Sequence, residues 1–245
     1  MSILDYFHFP QSSLLNKRIP KSQLQSQSKL SKHNQVKLYA EIQDIYLVAN
    51  ITQSNSGIRE TITEETAYYS IQYLVVTIKS TYLVSEIRQE LHLLFPNPLM
   101  IEFHHQEQVL FSLALKRRSK SDSSKSVIVK YYDTNWFFID EMHQPMVEHL
   151  NINRFKYKDL KDMYSQVLVI LYSEVTIQLF GSYSVLSFNL IQTDLEDLFQ
   201  LQHQITQLET SISGDLMMKD RMKLHQELLL KQQHYNELLQ FIKEA

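Results

Sequence analysis

A chain of 245 residues suffices for one large domain, or for one domain with an appendage. Its hydrophobic fraction of 44% and charged fraction of 21% exclude disorder for the bulk, and a net charge of −3 supplies no global basic field for nucleic acid or anionic membrane. The absence of cysteine excludes disulfides, thiolate nucleophiles and Cys-bound metals, and with only three glycines the Gly-rich phosphate loops of Walker, Rossmann and kinase type are not expected. No run of 18 apolar residues is present, so no membrane span is expected. Met1-Ser2-Ile3-Leu4-Asp5 has neither a basic stretch nor a long apolar one, so no signal peptide is expected either. Together with the missing cysteines this points to a cytoplasmic protein.

The segment from Asp5 to Pro20 reads as an ordered arm whose aromatics Tyr6, Phe7 and Phe9 pack on the body. Ser22–Ser28 is polar. Val36, Leu38, Tyr39 and Ile42 are spaced for a helix that starts after Ser31 as N-cap. Ile45–Thr52 and Tyr68–Lys79 are rich in β-branched and aromatic residues and predict strands; the polar stretch Gln53–Glu65 between them predicts a loop. Leu83, Ile87, Leu91, Leu94 and Phe95 fall on one helical face, and Pro96-Asn97-Pro98 ends that helix.

Three short strands follow at Leu99–His104, Val109–Leu115 and Val127–Tyr132, the last two separated by the Lys/Arg/Ser-rich stretch Lys116–Ser126. Phe155–Tyr164 predicts a helix. Val167–Leu171 is uniformly apolar, and its period does not separate helix from strand. Val175–Leu179 and Tyr183–Phe188 predict short strands around Gly181.

Thr193-Asp194-Leu195-Glu196 has the spacing of a capping box. Beyond it Leu198, Leu201, Ile205, Leu208 and Ile212 step by three and four residues. Ser213-Gly214-Asp215 breaks the run, Gly214 suiting a helix end and Asp215 the next helix start. Leu224, Leu228, Tyr235, Leu238 and Ile242 then make a second seam, preceded by Met217, with Arg221 and Lys231 at two intervening positions. Two seams joined by a tight turn predict an antiparallel helical hairpin whose second arm extends roughly 40 Å. Exposed apolar residues such as Leu229, Leu230, Leu239 and Phe241 argue for a partner surface there, so these ten seam residues are the candidate partner interface.

Ten histidines invite a metal site. His104 and His105 are adjacent on a predicted strand and point to opposite faces, the others are scattered, and no His-Glu-x-x-His occurs. A nuclease of the restriction type needs Asp/Glu-x-Lys on a strand to hold Mg²⁺. The one such tripeptide, Asp159-Leu160-Lys161, falls in a predicted helix, and no Gly-x-Ser-x-Gly elbow is present. No catalytic residue, cofactor or metal ligand is therefore assigned. Basic residues cluster at Lys17, Arg18 and Lys21, and again at Lys116, Arg117, Arg118, Lys120 and Lys125. These are the candidate phosphate contacts of a nucleic-acid-binding surface with little sequence selectivity. Tyr131, Tyr132, Trp136, Phe137 and Phe138 read as core.

Phe9-Pro10, Asn16-Lys17-Arg18-Ile19-Pro20-Lys21, Leu113-Ala114-Leu115-Lys116-Arg117 and Tyr131-Tyr132-Asp133-Thr134-Asn135-Trp136, in this order and followed by a helical hairpin, resemble the bacterial domain-of-unknown-function 4391 family. The resemblance covers nearly the whole chain and implies a setting rather than a reaction. It implies an accessory protein beside helicases and DNA methyltransferases in restriction-like anti-phage gene clusters. The fold expected is α+β: a mixed, largely antiparallel sheet with covering helices over residues 1–190, including the N-terminal arm, and the hairpin over 191–245. The function expected is that of a non-enzymatic adaptor. It would act through protein contacts with a helicase or methyltransferase subunit, with self-association through the hairpin. Sequence-nonspecific nucleic-acid binding is the alternative, and a divergent Mg²⁺ nuclease a third.

Overall fold

The computed structural model describes residues 3–120, 122, 126–213 and 217–245. The chain divides into two compact units, one ending at Ser184 and one beginning at Val185. In chain order the first unit contains α1 (Ile3–Phe7), β1 (Leu14–Arg18), α2 (Lys21–Gln27), α3 (Lys32–Glu41), β2 (Ile42–Thr52) and α4 (Gln53–Ser56). Next come β3 (Thr61–Ile62), β4 (Ala67–Tyr68), β5 (Ser70–Ile78), α5 (Val84–Leu94), β6 (Leu99–His105), β7 (Gln108–Arg118) and β8 (Ser126–Asp133). The unit closes with α6 (Gln144–His149), α7 (Leu160–Tyr172) and α8 (Val175–Phe180).

Six strands form one sheet in the order β1-β2-β5-β6-β7-β8, and β3 pairs with β4 alone. Every pair in the large sheet is antiparallel except β5 with β6, which run parallel with Gln72 opposite Leu99 and Thr77 opposite His104. A parallel pair cannot be joined by a hairpin, and α5 supplies the crossover. Side-chain alternation sorts the two faces. On one, Leu74, Val76, Leu99, Ile101 and Phe103 pack with Ile87 and Leu91 of α5 and with Leu38 of α3. On the other, Phe7 and Phe9 of the N-terminal arm stack together at 4.8 Å and meet the ring of Tyr73 at 5.4 and 6.0 Å. Helix α7 also packs against β5 and β8. Phe7 and Phe9 thus pack on the body as expected, and Tyr6 is half-buried.

Several expected elements take another form. Gln53–Glu65 holds α4 and β3 rather than a loop, with Gly57 in the left-handed region at the helix end. The ambiguous Val167–Leu171 lies inside α7, which begins only at Leu160, because Asp159 caps it by accepting from the Asp162 N–H. Val175–Leu179 is helical in α8, not a strand. Its β-branched residues are overridden by burial and by Thr176, whose hydroxyl donates to Ser173 O at 2.8 Å and accepts from Ser184 N–H at 2.9 Å. Gly181, at φ +77°, ends that helix. Tyr183–Phe188 forms no strand but leads into the second unit. Together Leu160–Phe180 has the length and mean hydropathy, 1.2, of a span, but 61% of it is buried, and the turn at Ser173 divides it.

The second unit holds α9 (Phe188–Gln192), α10 (Asp194–Ile212) and α11 (Met218–Glu244), the last two forming the expected helical hairpin. Thr193 makes no capping box. Its hydroxyl turns back to Asn189 O at 2.9 Å and to Asp194, closing α9 instead of opening α10. Gly214 and Asp215 lie outside the described residues.

Tyr164 shows how the sheet is finished where strand partners run out. Its hydroxyl accepts from Ala114 N–H at 2.9 Å and lies 3.0 and 3.1 Å from Leu99 O and Ala114 O, replacing a missing stretch of ladder. Burial raises its pKa well above the ordinary tyrosine value. Tyr164→Phe strands these buried main-chain groups and is expected to cost about 1–3 kcal/mol of stability, read from urea unfolding midpoints.

Candidate functional site

The polar groups of the body converge on the flank of α5. This helix buries Ile87 and Leu91, and the residues one position on, Arg88 and His92, lie one turn apart and face the end of the sheet. The Arg88 guanidinium pairs with Asp133 of β8 and stands over the Tyr131 ring at 4.3 Å. His92 Nε2 is 3.1 Å from Ser112 Oγ of β7, the residue opposite Asp133. Lys116, further along β7, sends its ammonium to Phe95 O and, at 2.9 Å, to Asn97 O. Those carbonyls close the C-terminal end of α5, where a cation is favoured.

Three cationic or potentially cationic groups share this seam with one carboxylate. Burial pushes Lys116 down to about 7. Burial first, and then the charges of Lys116 and Arg88, hold His92 well below its ordinary value, so the imidazole is neutral. His92 Nδ1, Arg88 Nε and Asp133 Oδ1 are buried without a protein partner. On the opposite face Glu102 is buried between the Tyr73 hydroxyl and His104 Nε2, the latter at 2.7 Å. Among the described residues no three His, Asp or Glu side chains gather as a metal-binding set. Asp159, the acid of the Asp-x-Lys tripeptide, is the cap of α7. The chemistry within reach of the seam is fastening by charge and hydrogen bond.

The candidate phosphate contacts fall into two groups. Lys21 reaches Tyr39 O at 3.2 Å and Ile42 O, tying α2 to the junction of α3 with β2. Lys116 is buried as described, Arg18 pairs with Asp44 at 2.6 Å, and Arg118 donates to Thr63 O at 3.0 Å. Lys17, Arg117 and Lys120 are exposed, and Arg117 donates to the neighbouring Arg118 O at 3.2 Å. Lys125 lies outside the described residues. Among the described residues the cluster is therefore divided between internal ties and solvent-facing charges.

The ten seam residues of the hairpin lie along the contact of α10 with α11. Leu198, Leu201, Leu228 and Ile242 are buried, while Ile205, Leu208, Ile212, Leu224, Tyr235 and Leu238 are half-buried. Lys231 bridges the two helices to Gln204 at 2.8 Å. The apolar surface left outside is carried by α11: Met218 is 80% exposed, Met222 60%, Leu229 65%, Leu230 68% and Phe241 54%. Leu239 is half-buried.

The profile of the family described as Domain of unknown function (DUF4391) matches residues 7–237, nearly the whole chain. The chain belongs to that family. No curated protein and no solved structure matches it. The two segments that carry the family resemblance are structural joints. In Asn16–Lys21, Asn16 takes φ +45° at a register shift in β1, Arg18 pairs with Asp44, Ile19 N–H donates to Ile45 O, and Lys21 makes the tie above. Asn suits that left-handed position better than most residues. In Asp133–Trp136, four successive side chains go to four places. Asp133 reaches α5, Thr134 Oγ1 accepts from Phe111 N–H at 2.9 Å, Asn135 donates to buried Glu174 at 3.3 Å, and Trp136 meets the His105 ring at 6.2 Å. Arg88, His92, Ser112 and Asp133 were missed by sequence reasoning. Their only signal was the i, i+4 spacing of Arg88 and His92 on an amphipathic helix.

A lysine lowered to about 7 when folded and near 10.5 when unfolded binds fewer protons in the folded state across that window. Its contribution to stability therefore rises with pH between the two values. His92, also lowered, adds a loss of stability as pH falls below its ordinary value. The buried tyrosines, Tyr68 raised to about 12 by burial and Tyr73 and Tyr164 raised well above 10, reverse the trend only above about pH 10. The urea midpoint should be higher at pH 9 than at pH 7. Lys116→Met should flatten that rise, and equal slopes in the two proteins would show that Lys116 is not its source.

Proposed function

We propose that the chain is a non-catalytic accessory subunit of a restriction-modification-like anti-phage assembly in the cytoplasm, joined to a helicase or DNA methyltransferase by protein contacts. The observation that carries this reading is the exposed apolar surface of α11. A helix of 27 residues uses one seam against α10 and leaves Met218, Met222, Leu229, Leu230 and Phe241 in solvent. Apolar ridges of this kind on long helices are recognition elements for facing helices. The body supports the same reading, since its most unusual charged groups fasten elements to one another.

Co-expression with a helicase or DNA methyltransferase of such an assembly, followed by gel filtration, tests this. A stable complex is expected, with Leu229→Lys plus Leu230→Lys weakening it by about tenfold or more while leaving the hairpin helical by circular dichroism. A chain that remains separate from both enzymes counts against the proposal. Exposed Lys17, Arg117 and Lys120 favour one second reading, nonspecific nucleic-acid binding. In that case Arg117→Glu with Lys120→Glu lowers both the affinity for duplex DNA and its salt dependence.

A further inference from the structure

Helices α3 and α5 pack on the same face of the sheet, with Leu38 and Tyr39 of one and Ile87 and Leu91 of the other in one apolar core. Between them they leave a cleft of about 350 Å³, the size of a small-molecule site. Its apolar lining comes from Leu30, Leu38 and Leu83. Glu86 and Glu90 of α5, one turn apart, line it too, as does Lys37 of α3.

The two carboxylates differ. Glu86 is exposed at the rim, whereas Glu90 is only 6% exposed and lies among the leucines. A buried carboxylate is costly unless a cation or several hydrogen bonds replace its water. Glu90 has one such bond, from the Tyr39 hydroxyl to Oε1 at 3.3 Å. Among the described residues no lysine, arginine or histidine forms an ion pair with it. Lys37 shares the cleft but holds its ammonium 5.7 Å from the centre of the Tyr82 ring. Arg88, two residues before Glu90, is turned to Asp133 on the other flank of the helix. Burial, and then the charge of Glu90, raise the Tyr39 pKa above its ordinary value, so the field of this carboxylate is felt inside the fold.

We propose that the cleft binds a small organic cation, a primary ammonium on a short apolar chain. The ammonium meets Glu90 at the floor, where Tyr39 occupies one acceptor site of the carboxylate and others are left. The chain lies along Leu30, Leu38 and Leu83, and Glu86 at the rim draws the cation in. A neutral molecule leaves Glu90 without a counter-charge, and an anion meets two carboxylates against one lysine. The proposal does not depend on the accessory reading, because α3 and α5 belong to the first unit and α11 to the second.

Titration of the full chain with isopentylamine at about pH 7.5, where an alkyl ammonium is charged, tests it by calorimetry and by methyl resonances. Saturable binding with a Kd of about 1 mM or tighter is expected, with shifts centred on Leu30, Leu38 and Leu83. Isopentyl alcohol and isovalerate have nearly the same shape but no charge or the opposite one, and should bind about tenfold or more weakly. Glu90→Gln keeps an acceptor for Tyr39. It should lower the amine affinity by a similar factor and leave that of the alcohol unchanged. Should this variant fail to fold, the comparison of the three ligands on the unaltered chain decides alone. Equal binding of the alcohol or the acid, no saturation at tens of millimolar amine, or shifts centred away from the cleft would each overturn the proposal. So would tighter binding of acetyl-glycyl-lysyl-glycinamide than of the free amine, which would assign Glu90 to a partner's lysine instead.

Discussion

The parallel pairing of β5 with β6 is the constraint from which the body follows. Strands that run the same way need a connection that crosses the sheet, and here the crossing is one helix of 11 residues. That helix covers the middle strands with Ile87 and Leu91, and its flank lies over β7 and β8. Apolar packing supplies the first contact, while the second is made by Arg88, His92 and, from the strand side, Lys116. The same helix therefore has an oily attachment along one line and a charged one along the next.

Charged attachments of this sort are conditional. Removing a cation from water costs several kcal/mol unless partners replace its hydration, so each group in the seam depends on its neighbours being in register. Arg88 needs Asp133 opposite Ser112, and Lys116 needs the carbonyls left open where α5 ends. A slip of one residue in β8 would carry Asp133 to the other face of the sheet and leave Arg88 buried alone. The seam thus penalises wrong pairings more than it rewards the right one. Its neutral imidazole and its lysine near 7 are the electrostatic record of that arrangement.

The architecture was legible where pattern is local. The strand runs, the amphipathic α5, the arm aromatics and the hairpin seams all repeat with the period of the element they belong to. What escaped was set by tertiary context. Val-Thr-Ile-Gln-Leu-Phe has the composition of a strand, yet it closes as α8 because Thr176 bridges Ser173 and Ser184 and Gly181 is free to turn. Thr193 has the spacing of a cap and serves the preceding helix. The seam could not be read at all, since Arg88 and Asp133 are 45 positions apart and nothing in their neighbourhoods announces the pairing. The basic clusters misled for a related reason. A lysine looks solvated in a sequence, and only the fold shows that Lys21 and Lys116 point inward at carbonyls.

That inward turn of charge bears on what kind of surface remains. A nucleic-acid binder keeps its cations outside, in a field that phosphates can reach. Here the family segments Asn16–Lys21 and Asp133–Trp136 use their polar side chains to lock strand to helix, and Lys21 and Lys116 are spent on carbonyls, while Lys17, Lys29, Lys32, Lys37, Arg117 and Lys120 face solvent. The features left facing solvent include the apolar residues of α11.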